Sequence, residues 1–281
     1  MPNEAAAARD AEGVEVARDY YDSEEADRFY SAIWGGEDIH VGLYEDTDNI
    51  AEASRRTVAR MAGKLGEISG RHVLDLGAGY GGAARVLARE HGARVTCLNL
   101  STIENDRNRE LTREAGLGER IDIVDGSFDD MPFDEAAFDI AWSQDAILHA
   151  PDRLAVLDEV TRVLRPGGDF VFTDPMQADG IEDSAALQPI YDRIHLPDLA
   201  SFSFYEDALK ARGFEKTEVE KLTEQLGRHY GRVRAELAAN ADKHDLAPDF
   251  VERMLAGLEH WVDGAQAGRL AWGIMHYRKR S

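Results

Sequence analysis

The sequence predicts an α/β protein: a doubly wound, seven-stranded, mostly parallel sheet with a helical cap inserted near the C-terminal half. Three observations predict it. Short apolar runs alternate with segments of helical period between residues 72 and 173, the pattern of a parallel sheet covered on both faces. A glycine-rich turn, Asp75-Leu76-Gly77-Ala78-Gly79-Tyr80-Gly81-Gly82, joins the first strand to a helix. After Asp174-Pro175 the alternation stops and longer helical stretches take over.

Along the chain, the Ala-rich first ten residues lack periodicity, and Tyr20 to Tyr44 reads as a helix followed by a Gly-punctuated loop rich in aromatics. From Asn49 to Leu65, Ala51, Val58, Met61 and Leu65 recur at helical spacing. Strands follow near His72–Leu76, Arg94–Leu98, Ile121–Val124, Phe138–Ser143 and Asp169–Thr173, with helices near Gly81–His91, Ile103–Ala115 and Arg153–Leu164 between them. Arg165-Pro166-Gly167-Gly168 ends the last of these helices, because Pro cannot continue it and Gly supplies the turn. Met176 to Ala200 reads as an irregular or helical insertion, Ser203–Arg212 as a helix and Lys216–Leu222 as a strand. Gly227–Gly264 is mostly helical, and Arg269–Arg278 is the final strand. The expected organisation is an N-terminal segment, 1–48, lying over the site, and a core domain, 49–281, with cap insertions at about 176–202 and 223–268.

Composition narrows the function. The chain has 281 residues, 43% of them hydrophobic, and a formal charge of −22, enough apolar surface for a large core and the wrong sign for phosphate backbones or anionic lipid. Nucleic acid and membranes are therefore not expected partners. Met1 to Glu15 has no hydrophobic signal core, so a cytoplasmic protein is expected. The single cysteine, Cys97, sits in a strand-like run and reads as a buried thiol. Arg greatly outnumbers Lys, and the acidic surface suits high salt, where screening shortens self-repulsion.

The strand-Gly-helix turn brings backbone N–H groups and a helix N-terminus to a ligand. Gly77, Gly79 and Gly82 also satisfy the spacing of a dinucleotide fingerprint, so the glycines alone do not separate a nicotinamide cofactor from S-adenosyl-L-methionine. Asp75 favours the latter: an anion there opposes a pyrophosphate but suits a cationic amino-acid end. The second strand ends at Leu98-Asn99-Leu100-Ser101, about 20 residues on, where a carboxylate usually holds ribose hydroxyls. Asn99 keeps that role with less charge. Ser127 and the backbone of Phe128 follow the third strand, as adenine-edge contacts, and Ser143 and Gln144 close the fourth. Four strand ends thus carry polar or Gly-rich residues on one edge of the sheet.

These residues resemble the class I methyltransferases, a Rossmann-like fold: Val73–Gly82 their first motif, Asn99 the ribose position, Phe138–Ser143 the fourth-strand motif and Leu164–Gly168 the characteristic turn. A closer likeness is to sarcosine/dimethylglycine N-methyltransferases of glycine betaine synthesis. It is carried by Leu98-Asn99-Leu100, Ile140 to His149, Thr173-Asp174-Pro175-Met176, Asp192-Arg193-Ile194 and Gly257-Leu258-Glu259-His260-Trp261. The resemblance implies S-adenosyl-L-methionine as cofactor, bound by Asp75, Gly77, Ala78, Gly79, Asn99, Leu100, Ser127, Phe128 and Ser143. It implies a small amino-acid substrate, no metal, and osmolyte synthesis. An N-methylated amino acid wants an Arg fork for its carboxylate and aromatic faces for its nitrogen. Arg193, Gln144 and the aromatics Tyr20, Tyr21, Trp34, Tyr191 and Tyr205 meet that demand by type, and His149 is the candidate proton acceptor. A monomer or weak homodimer is expected. The alternatives left open are another small acceptor such as glycine or phosphoethanolamine, a nicotinamide-dependent oxidoreductase, and a non-catalytic protein that binds S-adenosylmethionine.

Overall fold

The computed structural model describes residues 24–181, 184–194 and 198–281. Tyr20 and Tyr21 lie outside them. Seven strands form one sheet: β1 (His72–Leu76), β2 (Arg94–Asn99), β3 (Ile121–Asp125), β4 (Phe138–Gln144), β5 (Leu164–Thr173), β7 (Phe214–Lys221) and β9 (Gly273–Lys279). A separate two-stranded ribbon pairs β6 (Met176–Gln177) with β8 (Leu270–Ala271). The sheet order is β3-β2-β1-β4-β5-β9-β7, parallel through β5 and antiparallel on both sides of β9.

The inner strands β1, β2, β4, β5 and β9 carry no polar alternation because both faces are covered, whereas the edge strands β3 and β7 are partly open and keep charged residues. Successive residues go to opposite cores, as the period of two demands. Leu74, Ala141, Phe170 and Phe172 face one core, with α5 (Arg153–Val163) and α7 (Phe202–Ala211) over it. Val73, Ile140, Trp142 and Val171 face the other, under α2 (Ile50–Gly63) and α3 (Gly82–Glu90). Cys97 is buried in that second core, where burial pushes its thiol above the usual range. Between β2 and β3 runs α4 (Thr102–Glu114).

Two local differences from the sequence reading have simple causes. The Arg165–Gly168 turn lies inside β5 rather than after the helix: Phe138 pairs with Leu164 and Ile140 with Asp169, so Arg165 to Gly168 bulge from the ladder, with Gly167 at φ +75°. The final strand is broken at Trp272, whose residues on either side serve two different ladders.

A third apolar cluster lies at the sheet's C-terminal edge. It joins α1 (Glu24–Phe29) and the π-helical turn Tyr30–Trp34 to α6 (Gln188–Ile194), α8 (Thr223–Asn240) and α9 (Pro248–Gln266). Trp34 stands edge-on to Tyr230, and Tyr230 stacks on Trp261 with centroids 4.9 Å apart. Segments distant in sequence are thereby fastened over the strand ends, where the site forms.

Candidate active site

Parallel strands point their carboxyl ends to one edge, and a ligand crevice opens where β1 and β4 diverge from the strand order. A cavity sits there, about 820 Å³ counting its mouth. Its wall includes Gly77 and Gly79 after β1, Asn99 and Leu100 at the end of β2, and Ser127 and Phe128 after β3. Gln144 and His149, expected on the substrate side, also reach it.

The glycine turn is a steric necessity at Gly77. Its φ is +71°, and a Cβ there would stand 2.4 Å from the Cβ of Ala146. The turn is drawn against the sheet, since the Gly77 and Ala78 amides both donate to the Leu98 carbonyl, at 2.8 and 3.3 Å. Ala78 packs against the core beneath the turn.

Asp75 is buried below the turn, with Oδ2 lacking any hydrogen-bond partner. Burial raises its carboxyl to about 7, against a smaller pull downward from His40. An acid so placed gains most from a cation brought beside it. His40 lies 3.7 Å from Asp38, an electrostatic pair too long for a hydrogen bond. Burial works against the imidazolium, but Asp38 and Asp145 outweigh it and raise His40 above its ordinary value.

Asp145 follows β4 in the left-handed conformation, φ +51°, and lines the cavity. Its carboxylate accepts from the Val41 amide at 2.7 Å and from Trp272 Nε1 at 2.8 Å. One side chain thus ties the loop after Trp34, the end of β4 and the break before β9. Burial raises its carboxyl, and His40 partly offsets that.

His149 ends the 3₁₀ turn Ile147–His149. The turn is held from behind by Asp174, which accepts from the Leu148 amide at 2.9 Å and from Tyr205 Oη at 2.7 Å. Burial, with Arg153 and Arg193 adding positive charge, lowers His149 to about 4. Its ring is neutral at physiological pH. Arg193 lies along α9 with Nη2 3.2 Å from Met254 Sδ, where Gly257 leaves room for the guanidinium.

The other expected residues lie elsewhere. Ser143 is fully buried and donates to the Leu76 carbonyl, so it fastens β4 to β1. Tyr205 is fully buried behind Asp174 and opens on no cavity wall described above. Tyr191 is buried and donates to Gln177 Oε1 at 2.8 Å. Trp34 belongs to the aromatic cluster, 5.3 Å from the ring of His229. Trp34 and Tyr191 find more apolar surface in the packed cap than at a wet wall, and Tyr205 finds it in the sheet core beside Phe172.

Residues not singled out from sequence join the wall: Ile39, Glu104, Asp129 and Asp145. Ser127 Oγ donates to Asp129 Oδ1. Glu104 carried a readable signal, since Ser101-x-x-Glu104 is a capping-box pattern and Ser101 Oγ accepts from the Glu104 amide at 3.2 Å. Asp145 had none, because no pattern announces a left-handed aspartate.

An elongated ligand fits this wall through a turn with no room for a side chain and acceptors at the ends of β2 and β3, while Asp75, with one oxygen lacking a hydrogen-bond partner, stands buried behind the turn rather than on the wall and favours a cationic end there. Among the described residues no group of three or more His, Cys, Asp or Glu side chains could hold a metal ion.

Comparison with known proteins agrees. Residues 74–172 match a family model described as a methyltransferase domain. A sarcosine/dimethylglycine N-methyltransferase of Halorhodospira halochloris is 51% identical over 276 residues, 96% of this chain and 98% of that protein. A dimethylglycine N-methyltransferase of Parasynechococcus marenigrum (strain WH8102) is 52% identical over 94% of this chain and 95% of its own. The crystal structure of a Galdieria sulphuraria protein assigned as a sarcosine dimethylglycine methyltransferase superposes with a TM-score of 0.88 at 44% identity, covering 93% of this chain and 99% of that one. The likeness runs through the cap as well as the sheet, and on it the chain belongs to the sarcosine/dimethylglycine N-methyltransferases, enzymes of the S-adenosylmethionine-dependent class I methyltransferase family.

Proposed function

We propose that this enzyme methylates sarcosine, dimethylglycine or both, giving dimethylglycine and glycine betaine. The observation that carries the reading is the 51% identity extending over 96% of the chain, cap included. Bound S-adenosylmethionine supplies an electrophilic methyl group on a sulfonium. Asp75, Gly77, Ala78, Gly79, Asn99, Leu100, Ser127 and Phe128 hold it, with Asp75 offering its buried oxygen to the cationic amino-acid end. Ser143 acts from behind, by fixing the β1–β4 seam.

What the chain contributes to transfer is alignment and exclusion of water. Arg193 and the Gln144 amide, whose Nε2 is buried without a partner, attract the substrate carboxylate. The neutral His149 ring presents a lone pair to the substrate amine and accepts its proton as the nitrogen becomes a nucleophile. Such a ring holds a proton weakly, so it passes the proton on to water at the mouth of the cavity rather than storing it. Asp145 stabilises the cationic product nitrogen electrostatically. The N-terminal segment, 1–48, and the cap stretches at about 176–202 and 223–268 enclose the substrate side; Trp34 and Tyr191 serve there as packing that fixes the cap, Tyr205 packs in the sheet core behind Asp174, and Tyr20 and Tyr21 are left as aromatic partners for the substrate.

No helix among the described residues is long and apolar enough to cross a membrane. A cytoplasmic enzyme acting as a monomer or weak homodimer, without nucleic-acid partners, is the corresponding proposal, and the net charge of −22 supports it.

The test is incubation in concentrated KCl with S-adenosylmethionine and, separately, glycine, sarcosine, dimethylglycine and phosphoethanolamine, with products followed by mass spectrometry. Glycine betaine from dimethylglycine is expected. Methylation of phosphoethanolamine alone refutes the substrate assignment, and binding of the cofactor with no methylated product refutes the catalytic one.

A further inference from the structure

The end of β2 carries an amide where a carboxylate would hold a ribose diol, and the structure shows where a charge has gone instead. Asn99 Nδ2 donates to Glu104 Oε2 at 2.9 Å. A carboxylate only accepts, so this contact fixes which way the Asn99 amide faces and leaves Oδ1 as its remaining polar atom. The backbone of Asn99 is fixed too: its carbonyl accepts from Asn105 Nδ2 at 3.0 Å, and the same nitrogen reaches Asp125 Oδ1 at 2.7 Å. Glu104 itself is 5% exposed and Asn99 9%, yet both line the cavity. A carboxylate in the first turn of α4 is favoured by the helix dipole, which accounts for its tolerance there. It does not account for the side chain turning to the cavity wall and to Asn99.

We propose that Glu104, in the first turn of α4, is the ribose-binding carboxylate of this enzyme, with Asn99 as both its positioning partner and the second acceptor. The inference rests on the S-adenosylmethionine reading above. A ribose diol brings two O–H donors. Glu104 takes one through a charge-assisted bond, which is stronger than a neutral pair, and Asn99 Oδ1 takes the other. Two residues thus divide what a single strand-end acid does with both its oxygens. With Asn99 at the strand end the site's carboxylate is Glu104, and the amide 2.9 Å away bonds it where a second anion would repel it.

The test is binding, measured by calorimetry with S-adenosylhomocysteine and its 2′-deoxy and 3′-deoxy analogues, alongside thermal unfolding of each variant without ligand. Wild type is expected to bind the parent compound and to lose roughly tenfold or more for at least one missing hydroxyl. Glu104→Gln is expected to weaken the parent roughly ten- to a hundredfold and to flatten the difference between parent and analogue. The double variant Asn99→Asp/Glu104→Gln, which returns the acid to the strand end, restores affinity and discrimination. Should Glu104→Gln fold poorly, Glu104→Asp keeps the charge at the helix start while withdrawing it by one methylene, and the same loss is expected at an unchanged unfolding temperature. Wild-type affinity and discrimination in Glu104→Gln or Glu104→Asp overturn the proposal and leave Glu104 a helix cap. Failure of wild type to bind S-adenosylhomocysteine at all is a different result, which overturns the cofactor reading beneath it.

Discussion

Gly77→Ala tests how the turn after β1 is built. A Cβ at this position meets the Ala146 Cβ at 2.4 Å, whereas carbon atoms rest at ~3.5–4.0 Å, so one wall of the cavity must retreat by ~1 Å. The residue also keeps its φ of +71°, which costs an L-residue ~1–2 kcal/mol. The two contributions separate with a control. Gly66 has φ +67° and nothing within 4 Å of where a Cβ would stand, so Gly66→Ala carries the conformational penalty alone. Gly66→Ala should lose ~1 kcal/mol of stability and bind S-adenosylhomocysteine as wild type does. Gly77→Ala should lose ~3–4 kcal/mol and bind on the order of a hundredfold more weakly, the scale of a 1 Å misplacement. Calorimetric titration and chemical denaturation measure both. If Gly77→Ala binds within about threefold of wild type, the turn yields freely and the close approach to Ala146 has no functional content.

Two further expectations follow from charge. Because burial, Arg153 and Arg193 lower His149 to about 4, its ring should titrate near that value by NMR, and Arg153→Gln should move the midpoint upward, since removing a positive charge eases protonation. The folded form refuses a proton that the unfolded chain accepts, so this histidine's contribution to stability is intact above about 6.5 and is lost as pH falls toward 4; a wild-type midpoint at or above the ordinary value contradicts the assignment. The chain carries 54 acidic against 32 basic side chains, so its unfolding temperature should rise between about 0.1 and 2 M KCl as screening shortens repulsion; a fall would mean that surface ion pairs such as Arg60 with Glu45 and Glu220 outweigh it.

The sheet was legible because its information is local and periodic. Val73, Leu74, Val95, Ile140 and Phe170 announce buried strands whatever else surrounds them, and the glycine turn marks the crevice. Gly77, Asn99, Ser127 and Gln144 could be placed on its wall from strand ends alone. The aromatics could not. Residue type points to Trp34, Tyr191 and Tyr205, but type does not say whether a ring faces a ligand or a neighbouring helix; Tyr205 sits 4.9 Å from Phe172 in the core. Asp145 was invisible for another reason. Its partners Val41 and Trp272 lie more than a hundred residues away on either side, and no window of sequence contains such a contact. Glu104 stood between these cases: its cap pattern was readable, but its turn toward Asn99 was not.

The place of β9 has a consequence for how the molecule is made. β9 lies between β5 and β7 in the sheet, although β7 is synthesised first. Until β9 arrives, β5 ends the sheet with an unpaired, strongly apolar edge and β7 has nothing to join. A nascent chain must therefore wait with the apolar edge of β5 open, and strand insertion into a preformed gap is slow because its contacts are distant in sequence. The exposed edge is also a template for another chain. The charge that keeps these polypeptides apart matters most in that interval, before there is an enzyme at all.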